Sequence, residues 1–596
     1  MQSFKFEGAE FTPFAAEQAG VFIHTRFERE ERGFTVRISV ENTGREELPL
    51  GKLPLFAKVR LNGRYEKTYS ECRELLGELG INDSNVSRVS YNLLGFTDAE
   101  GSRAVLFGFD NLKDFYYNFI SEPAGDGFDV SVLCDFQGAC LGAGQKTELS
   151  DLKVYFSRSI SDLLDVHARN ILQKMPLQKQ VKNTFGTGWC SWYYYYGTEN
   201  KADIYENMQE LQSAQTGKEM GFFLIDDGWN QKEKNVCVWG DWTAGFKFPE
   251  GMRAVSDRIH ASGLRSGLWL APFAVSRNST LFAEHPDWML GGDEKILNPN
   301  EGVFGLDLTR PDVLEYIRET FTRVFDEWGF DLVKIDFLLY GAGEGSRFDR
   351  RSTGVQAFRK GMEVIRECAK GKAILNCGSP VLQSVGLCDA MRIGSDVGSR
   401  WYFPLNEACW PYGNCSIKCS TRYVAYRNWM NSLFWVNDPD CIVVRDKSNG
   451  IEQERFCSFF PYMDIREEDF GLTDSEADLW VKMVAFTGGL KYLSEKWSEL
   501  PERRRELVRK YMQKQYGACK LVDEYRFRDL YVFKSREGNK VAVFNVSDED
   551  VALVMPAEKL QNAEALRESD SGCPIVREGD TYKFPPIRAR SGYIFE

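Results

Sequence analysis

Near the start of the chain, apolar and polar positions alternate with a period of two. Phe34, Val36, Ile38 and Val40 are separated by Thr35, Arg37 and Ser39, the pattern of a strand with one face on a core. Further apolar runs at Arg103–Phe109, Val130–Phe136 and Leu152–Phe156, set between turn-rich pieces, predict a β-sandwich. From Ser159 to Met175 the period lengthens to a helical one, through Leu163, Leu164, Val166, His167, Ile171 and Leu172, which reads as a connecting helix. Strand and helix signals then alternate. The predicted strands are Phe185–Trp192, Gly221–Trp229, Leu264–Pro272, Leu332–Phe337, Lys372–Gly378, Ala390–Asp396, Leu433–Asp438 and Lys482–Gly488. Eight βα units in succession predict a (β/α)8 TIM barrel, and a doubly wound open sheet loses because no GxGxxG follows the first strand.

One connecting helix shows the logic. Thr309 is the expected N-cap and Pro311 sits in the first turn. Val313, Leu314, Ile317, Phe321, Val324, Phe325 and Trp328 make one apolar face, and Gly329 ends it. The tail returns to strands at Leu530–Lys534, Val541–Val546, Val551–Met555 and Gly592–Glu596, a small antiparallel β domain. All 14 tryptophans lie from Trp189 to Trp497, which sets the middle apart from both ends. The expected division is an N-terminal β-sandwich at 1–158, a linker helix at 159–180, the barrel at 181–510 and the C-terminal β domain at 511–596.

Composition narrows the chemistry. The 596 residues are 43% hydrophobic and 27% charged, enough to bury a large core. The formal charge of −13, with no basic block, argues against nucleic acid or an anionic membrane as partner. The start has no apolar signal core and no run of apolar residues is long enough to span a bilayer, so a cytoplasmic location is expected. Fifteen cysteines without CxxC spacing read as reduced thiols. The group Cys409, Cys415 and Cys419 has no histidine nearby and is taken as structural rather than as zinc ligands.

Barrel enzymes carry their chemistry at the C-terminal ends of the strands. Here those ends read Gly188-Trp-Cys-Ser-Trp192, Asp226-Asp-Gly-Trp229, Trp269-Leu-Ala-Pro272, Lys334-Ile-Asp336, Asn376-Cys-Gly-Ser379 and Arg392-Ile-Gly-Ser-Asp396, with Gly240-Asp-Trp242 between the second and third. An acidic residue after one strand is as often a helix N-cap as a catalyst, but agreement over five strand ends points to a site. Carboxylates beside indoles suit sugars, whose hydroxyls bond to Asp and Lys while the C–H face stacks on Trp. Cleavage through an oxocarbenium-like transition state needs one ionised and one protonated carboxyl. His24, His167, His260 and His285 form no HxH at a strand end, so a zinc hydrolase is disfavoured, and no metal or other cofactor is expected. A Mg²⁺ site on Asp226, Asp227 and Asp336 stays open but has no phosphate loop. No GxSxG elbow is present, and Cys190 and Cys377 lack a histidine base.

Together these motifs, with Trp435-Val-Asn-Asp-Pro-Asp440, resemble the α-galactosidases of glycoside hydrolase family thirty-six, which includes the melibiases and the raffinose-synthase-like proteins. The resemblance implies a β-sandwich, a (β/α)8 barrel and a small antiparallel β domain, and retaining, exo-acting hydrolysis of terminal α-galactosides of small oligosaccharides. It implies Asp336 as nucleophile and Asp396 as acid/base. Asp226, Asp227 and Lys334 would bond the sugar hydroxyls, with Trp192, Trp242, Cys377 and Arg392 as further lining. Lys334 lies two positions before Asp336 and so on the same side of the strand, where it favours an ionised nucleophile, whereas an acid at Asp396 needs a raised pKa.

The chain departs from that pattern at four places. Phe337, Leu338 and Leu339 follow the nucleophile motif where polar residues are usual. Cys377-Gly378 leads into Ser379-Pro380 rather than a longer glycine-rich turn, near the sugar 2-position. Asp396-Val-Gly-Ser-Arg lacks a second acidic residue. The N-terminal region has no Trp to reach over the site, so aglycone contacts would come from the loop with Trp401, Tyr402, Phe403, Trp410 and Tyr412, against ordinary rim packing. The alternatives are an α-N-acetylgalactosaminidase, a raffinose-synthase-like galactosyl transferase, and a sugar-binding scaffold without activity. A homo-oligomer is compatible with all of them.

Overall fold

The computed structural model describes residues 3–75, 77, 79–214, 220–233, 236–291, 302–402, 415–459, 464–522, 529–560 and 562–596. Two antiparallel sheets, of seven and eight strands, occupy the N-terminal part and face each other. The alternating segment is the strand Gly33–Asn42, with Phe34, Val36, Ile38 and Val40 all buried. Aromatic rings bridge the sheets: Phe11 meets Phe34 edge-on at 5.4 Å, and Phe109 stacks on Tyr117 at 3.8 Å. A helix, Ile160–Lys174, then runs to the barrel, capped by the Ser159 hydroxyl, which accepts the Asp162 N–H at 3.2 Å. His167 on this helix lies against Gly108, where a Cβ would come within 2.5 Å of the imidazole. Burial pushes that imidazole down to about 3, so it packs as a neutral ring.

Eight parallel strands follow: Thr187–Cys190, Met220–Ile225, Arg265–Leu270, Leu332–Ile335, Ala373–Asn376, Ala390–Arg392, Val436–Asp438 and Lys491–Leu493. The first seven pair in sequence order, and the eighth pairs with the first. Between the seventh and eighth the barrel is drawn shut by the Leu490 N–H on Asn437 O (2.8 Å) and the Ile442 N–H on Tyr492 O (2.6 Å). Seven strands fall where the sequence places them; the eighth does not. Residues 482–488 belong instead mostly to the helix Asp474–Phe486, started by a capping box of Thr473 and Glu476. That helix is buried nearly all round, so its apolar run lacks the polar stripe that marks a surface helix. The strand comes after the Gly488-Gly489 break.

The helix expected from Thr309 starts one residue later than a Thr309 cap would give, at Pro311, and runs to Thr322 before a π-helical turn over Arg323–Glu327. Thr309 does not cap it, because its N–H and hydroxyl both donate to Asp307 Oδ1, at 3.1 and 2.7 Å. The C-terminal part is a four-stranded antiparallel sheet and a three-stranded one around their own small core, which includes Val532, Val543, Met555 and Phe595. Its strand Ser591–Phe595 lies on the helix Asp474–Phe486, and Lys482 Nζ donates to Gly592 O at 3.0 Å.

The sandwich is keyed into the barrel by a buried ion pair. Arg427 Nε donates to Glu71 Oε1 at 2.8 Å, while Arg427 Nη1 reaches Ile393 O, just after the sixth barrel strand, at 2.7 Å. Gln137 Nε2 adds a bond to Ala342 O at 2.8 Å. Among the described residues Cys415 and Cys419 are in no disulfide, and Cys409 lies outside the described residues. Among the described residues no helix is long and apolar enough to cross a membrane.

Candidate active site

The strand ends bring most of the expected residues to one mouth. After the second strand, Asp226 is held by its own N–H on the Ser191 hydroxyl at 2.9 Å, which ties it to the end of the first strand. Its Oδ2 receives Lys334 Nζ at 2.8 Å and the Cys190 thiol at 3.4 Å. Burial works against the Lys334 charge, but Asp226, Cys190, Cys377 and Asp336 outweigh it and the ammonium is held well above the usual lysine range. Asp227, next along, accepts the Trp239 indole N–H at 3.3 Å. Burial and the neighbouring Asp226 push its carboxyl up to about 7.

Asp336 follows the fourth strand. Its Oδ1 accepts the Phe337 N–H at 2.7 Å and its Oδ2 the Trp269 indole N–H at 3.2 Å, with Lys334 on the same strand. Burial and Asp396 raise its carboxyl while Lys334 and the Phe337 N–H pull it back; the net direction is up. Phe337 takes a left-handed turn at φ 51°, so the chain leaves the strand sharply and its ring packs on Trp239 at 4.7 Å. Gly378, after the fifth strand, presses on the same carboxylate, with room for no side chain: a Cβ there would lie 2.8 Å from Asp336 Oδ1. Cys377 beside it is buried, and burial raises its thiol well above the ordinary range, as does Asp336.

Asp396 and Arg392 come from the sixth strand. Arg392 Nη2 donates to Asp396 Oδ1 at 2.7 Å; the arginine is fully buried, the Asp396 side chain 47% exposed. The same nitrogen bonds Asp440 Oδ2 and the Tyr193 hydroxyl (3.0 Å), drawing the seventh and first strands into the same cluster. A buried carboxylate set with two cationic side chains, one strongly held aspartate and one part-exposed aspartate can divide acid and base roles between like groups.

Residues 155–354 match the family model described as Melibiase. The match covers about a third of the chain. It ends before the fifth strand, so Asp226, Asp227, Lys334 and Asp336 fall inside it and Asp396 outside. The chain is 28% identical over 173 residues to an α-galactosidase of Lactobacillus acidophilus, Mel36A, covering 29% of this chain and 22% of that protein. With the α-galactosidase AgaA of Geobacillus stearothermophilus it shares 35% over 127 residues, covering 21% and 17%. The matched part is thus about a fifth of these relatives' length. Over whole chains the fold is similar to that of an α-galactosidase of Thermus thermophilus solved with p-nitrophenyl α-D-galactopyranoside: TM-score 0.62, 21% identity, 89% of this chain and 97% of that one. An α-galactosidase of Lactobacillus brevis gives TM-score 0.67 at 13% identity, over 98% and 81%.

Trp192 and Trp242, also expected as lining, make ring contacts with other aromatics. Trp192 opens the short helix Trp192–Tyr195 and its ring meets Tyr196 at 5.6 Å. Trp242 is buried on Trp229 and Trp269, each at 6.2 Å, and its neighbour Asp241 ties down the loop by accepting Lys232 Nζ (2.5 Å) and the Thr280 N–H (2.9 Å). Trp239, three residues before Trp242, is the indole that bonds Asp227, from a loop whose irregular backbone gives no period from which to read direction. Asp440 was legible as part of Trp435–Asp440 but not as a site residue. It lies two positions beyond its strand, at φ 83°. Of the aromatic loop, Trp401 is buried and Tyr402 exposed, while Phe403, Trp410 and Tyr412 lie outside the described residues. His24 bonds Glu41 and His260 bonds Asp331, both at 2.8 Å, and His285 stacks on Trp288 at 4.0 Å.

Proposed function

We propose that the chain is a retaining, exo-acting α-galactosidase of small oligosaccharides. The observation that supports this best is the unequal setting of two aspartates at one barrel mouth: Asp336 receives two N–H donors with Lys334 beside it, and Asp396 is part-exposed on an arginine. In the first step the Asp336 carboxylate attacks the anomeric carbon, the bond to the leaving oxygen breaks, and Asp396 gives that oxygen its proton. In the second, Asp396 takes a proton from water, whose oxygen displaces Asp336 and restores the starting configuration. Asp226, Asp227 and Lys334 bond the sugar hydroxyls, Trp239 orients Asp227, and Arg392 and Cys377 line the pocket. No cofactor enters this chemistry. Buried free thiols at Cys190, Cys377 and Cys441 fit a reducing, cytoplasmic setting.

The deciding experiment is hydrolysis of 4-nitrophenyl α-galactoside, α-N-acetylgalactosaminide and α-glucoside by wild type and Asp336→Ala. Turnover of the galactoside, lost in the variant and partly restored by azide as the β-galactosyl azide, is the expected result. Preference for the N-acetyl sugar moves the assignment to an α-N-acetylgalactosaminidase. Predominant transfer to added sucrose moves it to a galactosyl transferase. Wild-type inactivity on all three withdraws the proposal.

A further inference from the structure

Asp440 is a buried carboxylate that the two-aspartate chemistry leaves unused. Only 2% of it is exposed. Its Oδ2 accepts from Arg392 Nη2, the Tyr193 hydroxyl and the Val397 N–H (2.8 Å), and its Oδ1 accepts the Cys441 N–H (2.7 Å). Its own N–H is pinned on Asp438 Oδ1 at 2.9 Å. The φ of 83° is a conformation that a side chain beyond glycine resists, so the surroundings hold this aspartate in place. Val397 is the residue after Asp396, so the bond from its N–H fixes the backbone that carries Asp396.

The shared nitrogen gives this arrangement its meaning. Arg392 Nη2 serves Asp396 and Asp440 at once. An arginine in contact with one carboxyl alone favours the anion, which is wrong for a group that must donate a proton. We propose that Asp440 is a positioning residue which balances the Arg392 charge and holds Asp396 as the proton donor of the first step. This rests on the reading of Asp396 as the acid/base. The pair Asp396–Asp440 shares one guanidinium, and its protons belong to the pair. Asp440 receives four donors, the setting of a carboxylate that faces the same guanidinium as Asp396. Burial raises the Asp440 carboxyl, Arg392 and Lys334 draw it down and Asp396 and Asp438 push it up; the net direction is up. The other groups facing this cluster are Asp336 from the fourth strand, Cys377 from the fifth, Tyr193 and Cys441, and Cys415 after the sixth.

The test uses the full chain and the variant Asp440→Asn, whose amide oxygen still accepts from Val397 and Arg392 but carries no charge. Two substrates are compared: 4-nitrophenyl α-galactoside, whose phenolate needs little acid help, and methyl α-galactoside, whose alkoxide needs much. The expected kcat/KM falls about 100-fold or more for the methyl glycoside and less than about tenfold for the aryl one, within the range that general acid catalysis supplies. The alkaline limb of the kcat/KM profile moves to lower pH, because losing the Asp440 charge leaves Arg392 to favour ionised Asp396. Tyr193→Phe, which removes one donor from Asp440, shifts both readouts the same way by less and stands in if Asp440→Asn does not fold. Equal losses on the two substrates with an unmoved pH profile overturn the proposal. Asp396→Asn is measured alongside: if it shows no leaving-group bias, the acid/base reading itself falls, whereas a bias there but not in Asp440→Asn removes only the role given to Asp440.

Discussion

Lys334 Nζ lies 2.8 Å from Asp226 Oδ2, a buried ion pair that spans from the fourth barrel strand to the second across the third. Removing the amine leaves Asp226 buried without its cation, which costs about 3–5 kcal/mol in comparable pairs. Lys334→Met is therefore expected to lower the denaturant midpoint and to cut kcat/KM on 4-nitrophenyl α-galactoside by about 100-fold or more. Urea unfolding and steady-state kinetics on the same preparation check both.

Gly378 sits against the Asp336 carboxylate at φ 53°, and an added Cβ would meet both Asp336 Oδ1 and the Phe337 nitrogen at 2.8 Å. Gly378→Ala must displace the proposed nucleophile or the turn after it. The expected outcome is a kcat lowered about 100-fold with the fold kept, since misplacement of a reacting group by about 1 Å has that effect. Kinetics with a circular dichroism spectrum unchanged from wild type is the check.

The two neighbouring tryptophans separate binding from packing. Trp239→Phe removes the N–H that Asp227 accepts, so KM for the galactoside is expected to rise about tenfold with a smaller change in kcat. Trp242→Phe shrinks a ring packed between Trp229 and Trp269, and is expected to leave KM alone while lowering stability by about 1–3 kcal/mol. Parallel kinetics and thermal melts decide whether the roles divide this way.

Glu199 is fully buried beside Asp226 and Asp227, and among the described residues neither of its carboxyl oxygens has a hydrogen-bond partner. Burial pushes its carboxyl up to about 8. A folded-state pKa above the unfolded value of about 4.3 means that the native protein binds the extra proton, so this contribution to stability is full in acid and is lost as pH rises towards 8. Glu199→Gln is expected to flatten the fall in melting temperature between pH 5 and 8. A profile as steep as that of wild type would contradict the assignment.

Much of the barrel was legible because its strands are short apolar runs with functional residues at fixed offsets from their ends, as at Lys334 and Asp336. The eighth strand was missed where burial erased the helical stripe: the helix Asp474–Phe486 has apolar residues on nearly every side, so periodicity cannot separate it from a strand. At the site, residues that follow a recognisable strand end, such as Asp226 and Asp336, were readable, whereas Trp239 and Asp440 were not. Trp239 and Asp440 reach the cluster from irregular backbone, one through a loop held by Asp241 and one through a left-handed residue, and neither direction follows from spacing. Thr309 was misread because a nearby aspartate, Asp307, competes for its hydroxyl.

The Glu71–Arg427 pair bears on how the molecule can be taken apart. Arg427 is fully buried, and its bond to Ile393 reaches the residue just after the strand that bears Arg392. A barrel cut free of its sandwich would carry an uncompensated cation directly behind its own site. The sandwich is thus a structural subunit of the pocket rather than a detachable accessory, and grafting this barrel onto another N-terminal module requires carrying the counter-charge across with it.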